Sequence, residues 1–346
     1  MAVLAIVTSS PPSTEGGHLV IARSLATAAR EFGHDAHVVI TPDCRFGHQV
    51  SSYVATWRTD VNLAAGRKVD QVISLRYPSY AVRHPVHVSW LNHTMREYYD
   101  LWPRFAASLS PHGRVKERAK CVAIRAADRW LLTHNLTEVV AQSRTVQRRL
   151  ALDLHVKSDV VLPPPPPRAY RCDRYGGYIF AVSRLTPLKR LELIIRALAE
   201  PAARHARVAI AGEGESRPDL ERLITTLGLS DRVTLLGRIS DKALVDHLAR
   251  CRAVCFPPLD EDYGLVTVEA FASRKAVLTC VDSGGPAELV RNGETGLVCD
   301  PTPEAMAAAI GRVVDDAALA ERLGDAAAAR VATLTWPAAV KRLVIV

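Results

Sequence analysis

A run of five consecutive prolines, Pro163 to Pro167, constrains the fold of this 346-residue chain more than any other feature of its sequence. Proline cannot donate a hydrogen bond to a β-ladder and does not fit a helix interior, so the run predicts a linker. A single hydrophobic core usually stops growing at about 250–300 residues. We therefore expect two domains, 1–167 and 168–346.

Each half of the chain alternates apolar runs of strand length with segments of helical period, the pattern of βαβ units around a parallel sheet. The predicted strands are 3–8, 36–40, 71–75, 86–90 and 138–142 in the first half, and 178–183, 208–211, 233–236, 253–256 and 276–281 in the second. The predicted fold class is therefore α/β, with two doubly wound Rossmann-like domains. The segments 46–67 and 101–120 are interpreted as irregular or long connections, and the apolar, basic segment 336–346 could pack back across the domain junction.

The composition is that of a folded globular protein, with 48% hydrophobic and 23% charged residues. The seven cysteines are scattered and form no CxxC pair, which favours reduced thiols over disulfides or a zinc site. The first residues lack the basic start of a signal peptide, and no apolar run approaches the roughly 20 residues of a membrane span. These features predict a cytoplasmic protein.

The net charge of +8 is concentrated in the first half of the chain. Residues 1–170 hold 21 Lys or Arg against 13 Asp or Glu, whereas residues 171–346 hold 23 of each. Ten of the basic residues lie between Arg104 and Arg149. This patch could attract an anionic acceptor or the anionic inner face of a membrane, or it could be an ordinary solvated helix face. Aromatic residues make up only 6% and no recognised module is present, so no nucleic-acid partner is predicted.

The strongest local signal is a pair of glutamates, Glu261 and Glu269, separated by seven residues. The first lies in a loop after a predicted strand, and the second lies in the helix that begins near Gly264 and Leu265. Backbone amides at a helix start can bind an anion, and carboxylates at this edge of a sheet can bind sugar or ribose hydroxyls. Taken alone, the segment also fits an exposed loop acid and a solvated helix acid.

Other loops of the second half add positive charge and glycine at the same edge of the sheet. Arg184 and Lys189 follow the first strand of that half, and an arginine and a lysine together can neutralise a pyrophosphate. Later loops carry glycine-rich segments, which are typical of a nucleotide pocket. Their residues of interest are Gly212, Gly214, Gly237, Arg238, Gly284 and Gly285.

The first half offers two weaker candidates. Gly16-Gly17 precedes a helix, so its amides could approach a phosphate, although Gly17 also fits a plain turn. The segment lacks the GxGxxG pattern, which counts against a nicotinamide-dependent dehydrogenase. His93 follows a predicted strand and could face a ligand, but a structural role is an equal alternative in a chain with 12 histidines.

Together these segments resemble the retaining glycosyltransferases of family 4, whose GT-B architecture has two Rossmann-like domains facing across a cleft. The matching elements fall in this order: Gly16-Gly17 with Gly33-His34, Ser183-Arg184-Leu185 with Lys189, Gly212-Glu213-Gly214, Leu236-Gly237, the segment Glu261 to Glu269, and Gly284-Gly285-Pro286 with Glu288. Each motif alone is weak, but six in order are a strong signal.

The resemblance implies roles for individual residues. Arg184 and Lys189 would bind the donor pyrophosphate, Glu269 the ribose, and Glu261 the hydroxyls of the transferred sugar. His93 would contact that sugar. The further donor-binding residues are Gly17, Gly212, Gly214, the base-lining Gly237 and Arg238, and the backbone of Gly264 and Leu265. The segment from Trp336 onward would form the closing helix of the second domain.

The resemblance further implies the reaction: transfer of a sugar from a nucleotide-sugar donor to an unidentified acceptor, with retention of anomeric configuration. His93, Arg184, Lys189 and Glu261 are the predicted catalytic residues. No cofactor and no metal are expected, although Asp260-Glu261-Asp262 could be mistaken for a metal-binding DxD motif. The alternatives are a nucleotide-sugar epimerase or a phosphorylase on the same architecture, or a non-catalytic nucleotide-binding subunit.

Overall fold

The computed structural model describes residues 1–10, 16–42 and 48–346. The chain divides into two compact units: unit 1 comprises Met1–Pro163 and Thr335–Val346, and unit 2 comprises Pro164–Leu334. Each unit is built on a six-stranded sheet whose neighbouring strands pair in parallel. The predicted fold class, α/β with two doubly wound domains, is confirmed.

The inner strands of unit 1 are buried throughout, as expected of a parallel sheet whose two faces are covered by helices. Its strands are β1 (Val3–Ser10), β2 (Asp35–Pro42), β3 (Gln71–Ser74), β4 (His87–Leu91), β5 (Glu138–Ala141) and β6 (Asp159–Val160). Its first helices are α1 (Gly17–Glu31), α2 (Gln49–Trp57), α3 (Val61–Ala65), α4 (Trp102–Ala107), α5 (Pro111–His134) and α6 (Arg144–Arg149). Short 3-10 turns form at Ser79–Ala81 and Arg96–Tyr98, and a π-helical turn at Leu150–Leu154.

The segment 101–120, predicted as an irregular or long connection, is a long connection and mostly helical, since it contains α4 and the start of α5. Pro111 stands in the first turn of α5, and the Ser110 hydroxyl accepts a hydrogen bond from the Gly113 amide at 3.2 Å. Proline at a helix start and serine at the N-cap are both favourable, so the boundary has a local physical cause. Within 46–67, the described residues form α2 and α3.

Unit 2 packs its helices on both faces of a second sheet. The strands are β7 (Ile179–Val182), β8 (Val208–Ala211), β9 (Val233–Gly237), β10 (Ala253–Cys255), β11 (Val277–Cys280) and β12 (Gly296–Cys299). The helices are α7 (Leu191–Ala199), α8 (Arg217–Thr226), α9 (Asp241–Arg250), α10 (Leu265–Ala272), α11 (Gly285–Leu289), α12 (Pro303–Asp315) and α13 (Ala317–Val331), with 3-10 turns at Pro187–Lys189 and Pro201–Ala203. Helix α14 (Trp336–Leu343) then returns to unit 1.

The unit boundaries differ from the predicted domain boundaries at both ends of unit 2. Unit 1 ends at Pro163, so the remaining prolines belong to unit 2. The final segment Thr335–Val346, which the sequence analysis assigned to the second domain, belongs to unit 1. Its attachment is specific, because the Gln71 side chain donates to the Leu343 carbonyl at 2.7 Å and accepts from the Ile345 amide at 2.8 Å.

In each sheet, the order in which successive strands are added reverses at one point, the switch point. The order is β2-β1-β3-β4-β5-β6 in unit 1 and β12-β11-β10-β7-β8-β9 in unit 2. The switch point lies between β1 and β3 in unit 1 and between β7 and β10 in unit 2, because the chain continues to opposite edges of the sheet from the two strands of each pair. Doubly wound sheets bind ligands at the carboxyl ends of the strands beside such a switch point. Among the described residues, no helix is long and apolar enough to cross a membrane.

Candidate functional site

The loop that follows β7 presents two cations of different character at the switch point of unit 2. Arg184 is exposed, and its guanidinium has no hydrogen bond or ion pair with any residue that the structure describes. Lys189 is only 9% exposed, and its Nζ donates to Glu261 Oε2 at 2.5 Å. The structure therefore brings together two of the predicted site residues, and it leaves Arg184 available to an anion.

The loop that follows β10 holds Glu261 in place through its backbone. The Glu261 amide donates to the Ser283 carbonyl at 3.0 Å, and the Glu261 carbonyl accepts from the Gly285 amide at 2.8 Å. The Lys189 ammonium also lies 5.6 Å from the ring centroid of Phe256, a favourable cation–π distance. The Glu261–Lys189 pair is thus supported on both sides and remains partly open to solvent.

Arg190 is a site residue that the sequence analysis did not identify. Its guanidinium binds Asp282 through two hydrogen bonds, Nη1 to Oδ2 at 2.7 Å and Nη2 to Oδ1 at 2.6 Å. The same group donates to the carbonyls of Pro257 and Pro258, each at 2.8 Å. Arg190 therefore joins the loops after β7, β10 and β11 around the switch point. We refer to Arg190, Asp282 and the two proline carbonyls as the Arg190 clamp.

The backbone of Arg190 explains why sequence reasoning missed it. Its φ of 49° lies in the left-handed region, which non-glycine residues seldom adopt. An arginine after a lysine in a loop is usually solvated, and no pattern in the sequence indicates that this one turns inward. A direct backbone bond, from the Leu259 amide to the Leu188 carbonyl at 2.8 Å, accompanies the clamp.

The start of α10 has the geometry of an anion site. Gly264 precedes the helix with a φ of 81°, and a Cβ there would lie 2.6 Å from Pro286 Cγ, so glycine is required. The N-cap residue, being glycine, has no side chain to bond the amides of the first turn. An anion site at the amides that begin with Leu265 stays a prediction, and a helix start of this kind is suited to it.

Glu269 is buried within α10 and already has partners. Its Oε1 accepts hydrogen bonds from Arg168 Nη1 and from the Tyr170 hydroxyl, the latter at 3.2 Å. Burial raises the pKa of Glu269 to about 7, although Arg168 and Tyr170 act in the opposite direction. Arg168 also binds Asp241, with Nη2 at 3.1 Å from Oδ1.

Arg168 and Tyr170 were also missed by the sequence analysis. They directly follow the proline run, which was interpreted only as a linker. The sequence did contain an indication, because an arginine and a tyrosine close together are suited to binding a buried carboxylate. Nothing in the sequence, however, indicated that Glu269 would be that carboxylate.

Two glycines predicted in the loop after β8 stand where the backbone of another loop approaches too closely for any side chain. A Cβ on Gly212, whose φ is 132°, would come within 1.8 Å of the Ser183 carbonyl oxygen, and one on Gly214 within 2.3 Å of the Leu185 carbonyl oxygen. Backbone bonds join the same loops, including Leu185 N to Glu213 O at 2.9 Å. These glycines let the β8 loop pack directly against the loop that carries Arg184.

The loop after β9 contributes a second exposed cation. Gly237 ends the strand, and its carbonyl accepts from the Gly212 amide at 2.8 Å. Arg238 follows it, is exposed, and pairs with no residue in the described part of the chain. Arg238 is therefore placed at the same edge of the sheet as Arg184, in the loop after β9 instead of the loop after β7.

The predicted residues of unit 1 lie on two different loops. Gly17 begins α1 beside the switch point between β1 and β3, and no side chain caps that helix; residues 11–15 before it lie outside the described part of the chain. His93 follows β4 and donates from Nδ1 to the Thr94 carbonyl at 2.6 Å. It lines a small pocket with Arg96, Tyr99 and Arg149. Within the described ranges, no group of three or more His, Cys, Asp or Glu residues could hold a metal ion.

The sequence of unit 2 matches a known family. Residues 174–330 match the family described as Glycosyl transferases group 1. An alpha-D-kanosaminyltransferase from Streptomyces kanamyceticus is 37% identical over 169 residues, which cover 46% of this chain and 43% of that protein. The chain thus spans less than half the length of this curated relative.

Solved structures resemble almost the whole chain. A sucrose-phosphate synthase from Thermosynechococcus elongatus is 18% identical with a TM-score of 0.79, covering 98% of this chain and 96% of that one. An Anabaena protein in complex with UDP and glucose is 17% identical with a TM-score of 0.72, covering 98% and 97%. At these identities the likeness establishes the fold, an architecture of two Rossmann-like domains.

Proposed function

We propose that this chain, whose residues 174–330 match the group 1 glycosyl transferases, is a retaining enzyme that moves a sugar from a nucleotide-sugar donor to an acceptor. The observation that carries the proposal is the arrangement at the switch point of unit 2. Adjacent loops there carry the guanidinium of Arg184, which pairs with no described residue, the Lys189–Glu261 pair and the start of α10, whose N-cap is Gly264.

Donor binding would follow from these groups. The Arg184 guanidinium and the α10 amides are suited to a pyrophosphate, since both favour phosphate oxygens. A bound phosphate would compete with Glu261 for the Lys189 ammonium, which the carboxylate now holds at 2.5 Å. Glu261 would then accept hydrogen bonds from sugar hydroxyls. We assign the ribose to Glu269, whose burial matches a site closed to water.

The chemistry breaks the bond between the anomeric carbon and the phosphate oxygen, which leaves negative charge on the phosphate and positive charge on the sugar ring. Arg184 and Lys189 would stabilise the departing phosphate. The acceptor oxygen would attack the same face, and its proton would pass to the leaving phosphate. Because two cations and a helix start supply the positive charge, we propose that no metal is required. Loss of activity in a chelator, restored by a divalent cation, would contradict this.

A thermal-shift screen of UDP, GDP, ADP and TDP tests the donor site. UDP comes first, because the Anabaena relative was solved with it. A ligand present at 100 times its Kd stabilises the folded state by about 2.7 kcal/mol, which a melting curve detects. We expect one diphosphate to raise the Tm of the wild type and to act weakly on Arg184→Ala.

The matched control is Arg222→Ala, which removes another exposed arginine, one whose partner is Asp219 on the same helix. It should respond to the diphosphate as the wild type does. If no diphosphate stabilises the wild type, or if both variants respond equally, the donor site is wrongly assigned.

Product analysis separates transfer from the other activities. A transferase releases nucleotide from the donor only when an acceptor is present. An epimerase would convert the donor without any acceptor, a phosphorylase would need inorganic phosphate, and a binding subunit would never release nucleotide. Each of the last three results would contradict the proposal.

We also propose that the acceptor is anionic and is met at an anionic membrane surface. The support is the outward face of α5, where Val115, Val122 and Trp130 are 72%, 61% and 50% exposed. Neither carboxylate of this helix lies on that face: Glu117 is bound by Lys120 and Tyr98, and Asp128 is buried. Exposed apolar side chains with basic neighbours fit a membrane interface.

Vesicle sedimentation tests this surface. We expect the protein to sediment with vesicles of mixed phosphatidylglycerol and phosphatidylcholine but not with phosphatidylcholine alone, and less strongly as salt increases. The double variant Val115→Asp and Val122→Asp should abolish the association, while its melting curve stays unchanged because both sites are exposed. Sedimentation that is equal for both lipid compositions, or unaffected by the variant, would refute the assignment.

A further inference from the structure

Two cysteines end neighbouring strands of unit 2. Cys280 is the last residue of β11, Cys299 is the last residue of β12, and the two are partners in the parallel register. Side chains in register on adjacent parallel strands project to the same face from backbones about 4.8 Å apart. That separation lies within the roughly 4.4–6.8 Å between Cα atoms that disulfides span.

Each thiol reaches towards the other strand. Cys280 Sγ donates to the Asp300 carbonyl at 3.9 Å, and Cys299 Sγ donates to the Thr279 carbonyl at 3.5 Å. A hydrogen bond from Cys280 lowers the pKa of the Cys299 thiol, and the same contact raises the pKa of the Cys280 thiol. Cys280 is buried, whereas Cys299 is partly exposed on the edge strand.

We propose that Cys280 and Cys299 are an oxidation site that a peroxide converts to a disulfide. The Cys299 thiolate attacks a peroxide oxygen, the O–O bond breaks, and hydroxide leaves, so that Cys299 becomes a sulfenic acid. The Cys280 thiol then attacks that sulfur, the S–O bond breaks, and water leaves as the S–S bond forms. Two electrons pass from the thiols to the peroxide, and a dithiol reductant reverses the change.

The disulfide would act on the Arg190 clamp. Asp282, which binds Arg190, lies two residues after Cys280. The turn between them depends on Cys280 itself, because the Cys280 carbonyl accepts from the Ser283 amide at 3.0 Å and the Cys280 amide donates to the Ser283 hydroxyl at 3.2 Å. Tethering Cys280 to β12 would shift this turn and loosen the loops that carry Lys189 and Glu261. This consequence rests on the proposed function, whereas the disulfide does not.

The first experiment uses the full chain with Cys44→Ala and Cys172→Ala, so that Cys299 is the one partly exposed thiol among the described residues. After treatment with hydrogen peroxide, we expect two fewer alkylatable thiols and one crosslinked peptide pair containing Cys280 and Cys299, both reversed by dithiothreitol. Cys121→Ser, which removes a buried thiol of unit 1, should leave the crosslink intact. No crosslink, or a crosslink to Cys255, overturns the proposal.

A second variant, Cys280→Ser, tests the first oxidation step by itself. In Cys280→Ser the sulfenic acid on Cys299 has no thiol to resolve it, so dimedone should label Cys299. Absence of that label in a folded Cys280→Ser variant overturns the proposed chemistry.

Nucleotide binding is the functional readout. We expect oxidation to weaken binding of the stabilising diphosphate by about tenfold, within the range usual for coupling between sites, and dithiothreitol to restore it. A crosslink that leaves binding unchanged refutes the effect on the clamp. If no diphosphate binds even the reduced protein, the proposed function fails, and the crosslink is judged separately by mass.

Discussion

Individual candidate residues could be singled out from the sequence, but their partners could not. The sequence identified Lys189, Glu261 and Glu269 from their order and spacing. The structure adds that Lys189 binds Glu261 and that Arg168 binds Glu269. Such contacts join residues 72 and 101 positions apart, and local pattern carries no information at that separation.

The raised pKa of Glu269 leads to a prediction about how stability depends on pH. Burial raises its pKa from the ordinary value of 4.5 to about 7 in the folded protein, so the folded state binds the proton more tightly than the unfolded state does. The free energy of unfolding should therefore increase as the pH falls from 8 to 5, by about 2–3 kcal/mol from this group. Denaturant titrations at both pH values should show that increase in the wild type.

Glu269→Gln is the matched variant for this pH dependence. Glutamine keeps the size of the side chain but does not titrate, so the part of the slope that belongs to Glu269 should disappear. Asp128, whose pKa is raised to about 6 by burial, adds a slope of the same sign in both proteins and cancels in the comparison. Equal slopes in the wild type and the variant would show that Glu269 is not the group responsible.

At the scale of elements, the alternation of strands and helices was predicted and the short or strongly basic elements were missed. The strands β6 and β12 were not predicted, and β6 covers only two residues, too few for a periodic signal. The first part of α5 was missed because arginines and lysines dominate it, while its N-cap, Ser110, was not considered. The loops were the least predictable, since Arg190 depends on a left-handed backbone.

At the scale of elements, we predict that the Arg190 clamp, which joins three loops, determines the affinity for nucleotide. Arg190→Gly relieves the left-handed backbone but removes the four hydrogen bonds that join the loops. We expect the affinity for the stabilising diphosphate to fall by about tenfold or more, because charge-assisted bonds of this kind are worth about 1.5–3 kcal/mol each. Isothermal titration measures the affinity. Asp282→Asn should have a similar effect, and the double variant should be less than additive.

Arg274→Gly is the control for the backbone. Arg274 also has a positive φ, 55°, and its side chain forms an exposed pair with Asp325. This substitution gives the same backbone relief without touching the clamp, so nucleotide affinity should not change. A loss of affinity in Arg274→Gly as large as in Arg190→Gly would mean that the backbone, and not the clamp, determines binding.

At the scale of the whole molecule, the presence of two doubly wound domains was predictable and the path of the chain between them was not. Length and the proline run indicated two domains. The return of Thr335–Val346 to unit 1 depends on contacts with residues far away in sequence, such as Gln71. A short apolar and basic segment fits several positions equally well, so its composition could not decide among them.

The last prediction is that the packing of α14 stabilises unit 1. Leu343 is fully buried in unit 1, whereas Ile345, two residues later, is exposed. Leu343→Ala should lower the stability of unit 1 by about 2–5 kcal/mol, while Ile345→Ala should change it by no more than about 0.5 kcal/mol. Because α14 packs against α1, hydrogen exchange should become faster in α1 of the Leu343 variant and stay unchanged in α12 of unit 2. If exchange accelerates in α12 and not in α1, the final segment stabilises unit 2 and its assignment to unit 1 is wrong.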